Sequence, residues 1–306
     1  MKNSIGVGVL VWNLLVILWG AVVRATGSGA GCGEHWPLCN GEIVPLSPGI
    51  ETVIEFGHRV TSGFAFIFVV AYAIFLFRRY PQGNLLRKLA ISNVSFIVIE
   101  ALIGAGLVIL GLVDQDTSHL RVWVIGLHLI NTLLLILSLT VSCFAEATHL
   151  QRLPLIRRGS AGFGLFIGLL GMIILGASGA ITALGDTLFP SESLMEGVAQ
   201  DFDQGSHFLV QLRVFHPLLA VMIGGWIAWQ AFLIETSDLS LKRIRLTVIS
   251  LVFSGWLIGG MNWLLLAPVW MQMIHLLWAN LIWISTIILF LKVDQVFSHK
   301  ETKSIV

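Results

Sequence analysis

Charge is scarce in this sequence: only 11% of its 306 residues are Asp, Glu, Lys or Arg, against 56% apolar. A mean hydropathy of +0.89 lies far outside the range of ordinary soluble domains. Strict apolar–polar alternation is missing too, which argues against a membrane β-barrel. A formal net charge of +1 offers no basic surface for nucleic acid and no field for acidic substrates. Cysteine is limited to Cys32, Cys39 and Cys143, with no C-x-x-C spacing, which argues against thiol-bound metal.

What the chain does have is long apolar runs. Eight of them, near 5–23, 57–77, 90–113, 122–143, 162–182, 208–234, 246–266 and 269–291, are long enough to cross a hydrocarbon layer of about 30 Å as helices. The expectation is an all-α polytopic protein of the cell membrane. The first run follows Lys2 and precedes small residues, as a signal peptide would, but its length and the seven later spans predict a retained helix.

Lysine and arginine accumulate in cytoplasmic loops. With the N-terminus inside, all of the 18 except Arg24, Arg59, Arg121 and Arg213 fall on the inner side. Both termini are therefore expected in the cytoplasm, and the loop "TGSGAGCGEHWPLCNG", Thr26 to Gly41, on the outer face. Disulfides persist there. A Cys32–Cys39 bond would staple this loop, by roughly 2.5 kcal/mol on the chain-entropy view. Cys143 falls near the inner end of the fourth run and reads as a buried bystander.

The second half echoes the first. Gly20-Ala21 and Thr26 match Gly176-Ala177 and Thr182 at an offset of 156, and Leu102-Ile103-Gly104 matches Leu257-Ile258-Gly259 at 155. Two four-helix bundles are expected, residues 1–158 and 159–306, as a parallel repeat. Of nine histidines, His35, His119, His149, His207 and His299 fall in loops, at helix ends or in the tail. His58, His128, His216 and His275 each come early in an even-numbered span, so all four share one depth in the outer half of the bilayer.

Ionisable groups at that depth are costly. Facing imidazoles are how helical membrane proteins hold haem iron axially. Packed polar helix contacts, a proton relay or a metal path would use the same residues. Small residues in "ALIGAGLVILG" and "GWLIGGMNWLLL" allow close approach by a flat macrocycle or by another helix. Arg59, Arg121 and Arg213 near the outer ends are candidate partners for haem propionates or snorkelling side chains.

The halves differ at one place. "EFGHR" puts Glu55 one turn before His58, whereas "RVFHP" puts Arg213 one turn before His216. An acid over a bound macrocycle suits proton transfer, which points to chemistry in the first half and electron transfer in the second. Glu55 read as an acceptor that orients His58, or as an interfacial charge, is the plainer alternative. Glu100 is a further intramembrane acid to which the sequence assigns no role.

The outer-loop motif with "WPLC", Glu-x-x-His-Arg and one histidine in each later even span closely resemble the haem A synthase family, over nearly the whole chain. The resemblance implies a membrane oxidoreductase that converts the C8 methyl of haem O to a formyl group by two successive hydroxylations and loss of water, for terminal oxidase biogenesis. It implies that His58 and His128 bracket the substrate haem O, that Glu55 is the essential acid, and that His216 and His275 ligate a haem b cofactor. It implies a Cys32–Cys39 disulfide in a lid over the substrate site. An electron acceptor would be required, and haem O synthase or a terminal oxidase under assembly are the partners it suggests. "GDTLFPSESLMEGVAQDFDQG" lacks the cysteine pair of some relatives, and this acidic loop reads as a solvated surface, with docking of a basic partner as the alternative. The alternative is a b-type bis-histidine protein for electron or haem transfer.

Overall fold

The structure, a computed structural model, describes residues 4–153 and 160–303, the side chains after 295 excepted. The expected junction of the halves, at 158–159, lies outside the described residues, as do Arg157 and Arg158.

Among the described residues eight helices are long and apolar enough to cross a membrane. They are α1 (Ser4–Ala25), α2 (Ile50–Arg79), α3 (Leu85–Ile109), α4 (His119–Thr148), α5 (Ala161–Leu188), a composite sixth span, α9 (Leu239–Leu264) and α10 (Val269–Lys303). The sixth span comprises α7 (Phe208–Gln211), a 3-10 turn (Leu212–Val214) and α8 (Phe215–Phe232), and a short α6 (Leu194–Phe202) precedes it in the loop. No strand occurs among the described residues. Polar residues start the helices where the chain enters the apolar layer: side chains of Asn84, Ser118, Ser160 and Asp238 accept from the first free backbone N–H groups of α3, α4, α5 and α9. The 3-10 turn sits just before Pro217, whose ring lacks an N–H and would collide with the carbonyl four residues back.

Helix neighbours follow chain order. In the first half α1–α2, α2–α3, α3–α4 and α1–α4 pack together, so α2 and α4 are diagonal. In the second half α5–α8, α8–α9, α9–α10 and α5–α10 do the same, leaving α8 and α10 diagonal. Contacts of α4 with α5 and α10, and of α1 with α10, join the two groups. Lipid offers little hydrophobic drive for such association, so small residues and polar clips matter. Indole N–H groups supply many clips to helical carbonyls: Trp12 to Thr61, Trp19 to Ile54, Trp226 to Gly164, Trp256 to Ala220 and Trp278 to Leu251. Trp283 of α10 reaches Leu133 of α4, across the halves.

The main buried core lies toward the helix ends remote from the cysteine loop, around Tyr72, Leu76, Ile136, Leu139, Leu165, Ile227 and Ile287. Cys143 is half-buried at that end. The four intramembrane histidines lie in the other half of the span, all half-buried, eight, nine, eight and six residues after the starts at 50, 119, 208 and 269. The apolar run that began near 57 in sequence begins at 50 as a helix, which brings Glu55, His58 and Arg59 well inside α2.

Candidate functional site

Each imidazole rests on a glycine of the preceding spanning helix. A methyl group at Gly20 of α1 would stand 2.9 Å from His58 Cε1, one at Gly179 of α5 2.9 Å from His216 Cε1, and one at Gly259 of α9 3.1 Å from His275 Cε1. Gly104 of α3 faces His128 more loosely, at 3.9 Å. The sequence offset of 155 thus pairs two glycines that play one part, Gly104 and Gly259. The offset of 156 does not: it pairs Gly20 with Gly176, which meets Leu133 and Leu129 of α4, whereas the glycine at His216 is Gly179. Three residues are nearly one helical turn, so both lie near the same face.

His216 and His275 face each other across the second half with ring centroids 6.2 Å apart and planes at 87°. Ser178 Oγ lies 3.1 Å from His216 Nδ1. The Nδ1 atoms of His58, His128 and His275 are buried without a hydrogen-bond partner. That of His128 lies 3.4 Å from Glu100 Oε1 of α3, an ion-pair distance. That carboxylate is held by Asn131 Nδ2 at 2.6 Å and by the Thr132 hydroxyl. Glu100 is the residue to which sequence reasoning assigned no role. The usable signal was its cost inside the membrane together with two polar residues one turn beyond His128.

Glu55 is buried and fully engaged. Its Oε2 accepts the backbone N–H of Cys32 at 2.7 Å, and its Oε1 accepts from Arg59 Nε at 3.0 Å and Nη2 at 2.5 Å. Arg59 Nη1 also donates to the carbonyls of His35 and Leu38, and Thr52 Oγ1 to that of Gly31. Cys32 and Cys39 form a disulfide and are buried. The first half of α2 therefore clamps the stapled loop from Gly31 to Cys39.

Arg213 holds the opposite sign at the matching position and also tethers a loop. Its Nε donates to Asp201 at 3.0 Å, and its Nη1 to Asp186 at 3.2 Å and to the Phe189 carbonyl. The acidic loop is consequently not a purely solvated surface: Asp186 and Asp201 turn inward to this guanidinium, and burial keeps the Asp201 carboxyl above its ordinary range despite the pairing. Arg121 donates to the carbonyls of Asp114 and Asp116. Buried Arg121 Nε and Arg213 Nη2 keep no hydrogen-bond partner. Arg24 binds the Ala183 carbonyl and Thr187 of α5 and Gln272 of α10, bridging the halves.

Among the described residues no three His, Cys, Asp or Glu side chains converge as a metal-ligand group. What the fold and the site define is a multi-pass membrane protein of the cell membrane, carrying histidines on diagonal helices beneath clamped loops. The chain belongs to the COX15-CtaA family of cytochrome oxidase assembly proteins, which it matches over residues 3–287. It is 45% identical over 280 residues to a "Protoheme IX farnesyltransferase" of Thermus thermophilus, covering 90% of this chain and 46% of that protein. A "Heme A synthase" of Alkalihalophilus pseudofirmus is 34% identical over 165 residues, 54% of this chain and 52% of the relative. Another, of Shouchella clausii, is 44% identical over 112 residues, 37% of each. The chain thus spans about half the length, or less, of these relatives.

Proposed function

We propose that the protein is a haem A synthase, oxidising the C8 methyl of haem O to a formyl group, with residues 1–158 as the substrate half and 159–306 as the haem b half. The two halves would run parallel through the membrane with both termini in the cytoplasm. Membership of the COX15-CtaA family and the two relatives named heme A synthase support the activity.

The observation that carries the haem reading is the His216–His275 pair. Ring centroids 6.2 Å apart leave room for one metal ion between two imidazole nitrogens at about 2.0 Å each. His216 and His275 would hold the iron of a haem there, the porphyrin supplying the remaining ligands. His58 and His128, also on diagonal helices, are the corresponding proposed ligands of haem O. When bound, haem b would supply reversible one-electron chemistry. Arg121 Nε and Arg213 Nη2 are buried donors free for propionates, whereas Arg59 is already engaged by Glu55 and the loop.

Conversion of a methyl to a formyl group with oxygen at the level of water removes four electrons and four protons, so an electron acceptor must work beside the site. Glu55, the proposed acid, holds the disulfide loop closed in this structure, so proton transfer by it would require Arg59 or Cys32 to let go. The first relative's name carries farnesyl transfer to protohaem, loosely consistent with haem O synthase as a neighbour.

A second reading, a b-type electron- or haem-transfer protein, gains from one observation. Glu55 and Arg213 both tether outer loops, so their opposite charges do not by themselves demand different chemistry. Purification from cells that make haem O, acid extraction and chromatography with mass detection decide between them. Haem A or its hydroxymethyl precursor together with haem b is expected. Haem b alone beside abundant haem O would establish the carrier instead.

A further inference from the structure

Of the four intramembrane histidines, only His128 has a carboxylate at its Nδ1. The Nδ1 atoms of His58, His128 and His275 all make no hydrogen bond, but that of His128 alone faces a carboxylate oxygen, Glu100 Oε1, at an ion-pair distance of 3.4 Å, and His216 has the neutral hydroxyl of Ser178. The offset of 155 that aligns Gly104 with Gly259 puts Gly255 where Glu100 stands, so the second half has no side chain there at all. Glu100 is itself fixed: Asn131 Nδ2 and the Thr132 hydroxyl reach its two oxygens from α4, and Asn131 also donates to the Phe96 carbonyl of α3. A carboxylate in the apolar layer is expensive, and here two further polar residues are spent on aiming it. Such partners of a ligating imidazole fix its tautomer and strengthen its donor nitrogen.

We propose that Glu100 is a positioning residue that holds His128 by its Nδ1, leaving Nε2 as the nitrogen for haem iron and making this ligand unlike the other three. The inference rests on the reading of His128 as a haem ligand. A negative partner on Nδ1–H raises the electron donation of the ring and favours ferric over ferrous iron. The first-half haem therefore has a lower midpoint potential with Glu100 than without it.

The test uses the full-length protein purified from cells that make haem O, with redox titration followed by absorbance and electron paramagnetic resonance of the ferric low-spin signals. Glu100→Gln keeps the shape and the acceptor oxygen but removes the charge. It is expected to retain haem, move the midpoint of one haem to higher potential, shift that haem's g values and leave the other unchanged. Thr132→Val, which takes a donor off the carboxylate oxygen that faces the imidazole without touching the imidazole itself, is expected to shift the midpoint and g values of the same haem and of no other, and it decides the matter should Glu100→Gln lose its haem. His128→Ala identifies which signal belongs to the first half. Its loss or conversion to high spin, beside unchanged potentials in both the Glu100 and Thr132 variants, overturns the positioning role alone. Unaltered signals in His128→Ala overturn the ligand assignment itself.

Discussion

At the scale of single residues, Glu55 illustrates how a charge read as a catalyst can first be a clamp. Its two oxygens are met by the Cys32 N–H and the Arg59 guanidinium, and hydrogen bonds to charged groups contribute roughly 1.5–3 kcal/mol. Glu55→Gln should therefore loosen the loop as well as abolish turnover, seen as faster amide exchange from Gly31 to Cys39. Lost turnover with unchanged exchange would assign the residue a direct proton-transfer role instead. Sequence made Glu55 conspicuous through its spacing to His58. The partner at Cys32 is 23 positions away, and only the folded loop brings it near.

At the scale of elements, the odd-numbered spans act as glycine platforms for the imidazoles. A side chain at Gly20 would press on His58, so on the proposed haem reading Gly20→Leu is expected to remove the first-half haem and spare the second, measured by haem content and spectrum. Gly179→Leu should do the reverse through His216. Gly63 of α2 has nothing within 4 Å of its would-be side chain, and Gly63→Ala should leave both haems in place. The small-residue runs were legible in sequence. Which glycine served an imidazole was not, as the one-turn difference between Gly176 and Gly179 shows, because a helical face admits either until the neighbouring helix is in place.

The loop tethers belong to the same scale. Removing the guanidinium in Arg213→Ala leaves Asp186 and Asp201 without their cation and should cost roughly 1.5–3 kcal/mol, read as a lower midpoint of thermal unfolding in detergent. Combining it with Asp186→Asn should recover part of the loss, since one orphaned carboxylate is then gone.

At the scale of the whole molecule, the halves are joined by few polar contacts, chief among them Arg24 to α5 and α10 and Trp283 to α4. Arg24→Ala removes three hydrogen bonds about one helical turn outward of the histidines. It should lower the thermal midpoint and, if the halves exchange electrons, slow reduction of one haem by the other in rapid-mixing spectroscopy. A lowered midpoint with unchanged reduction kinetics would confine Arg24 to a structural part.

The class of the protein was determined by sequence alone. Runs of apolar residues long enough to cross a bilayer force backbone hydrogen bonds to close within each segment, so eight helices follow from composition and length. The depth shared by four histidines also follows, since position along a spanning helix is position across the membrane. Which side chains meet is another matter. Tertiary packing decided that His216 faces His275 at 6.2 Å, that Glu100 turns to His128, and that Glu55 and Arg213 spend their charges on loops. The rotation of each helix about its axis is set by neighbours distant in the chain, and no local pattern of residues encodes it.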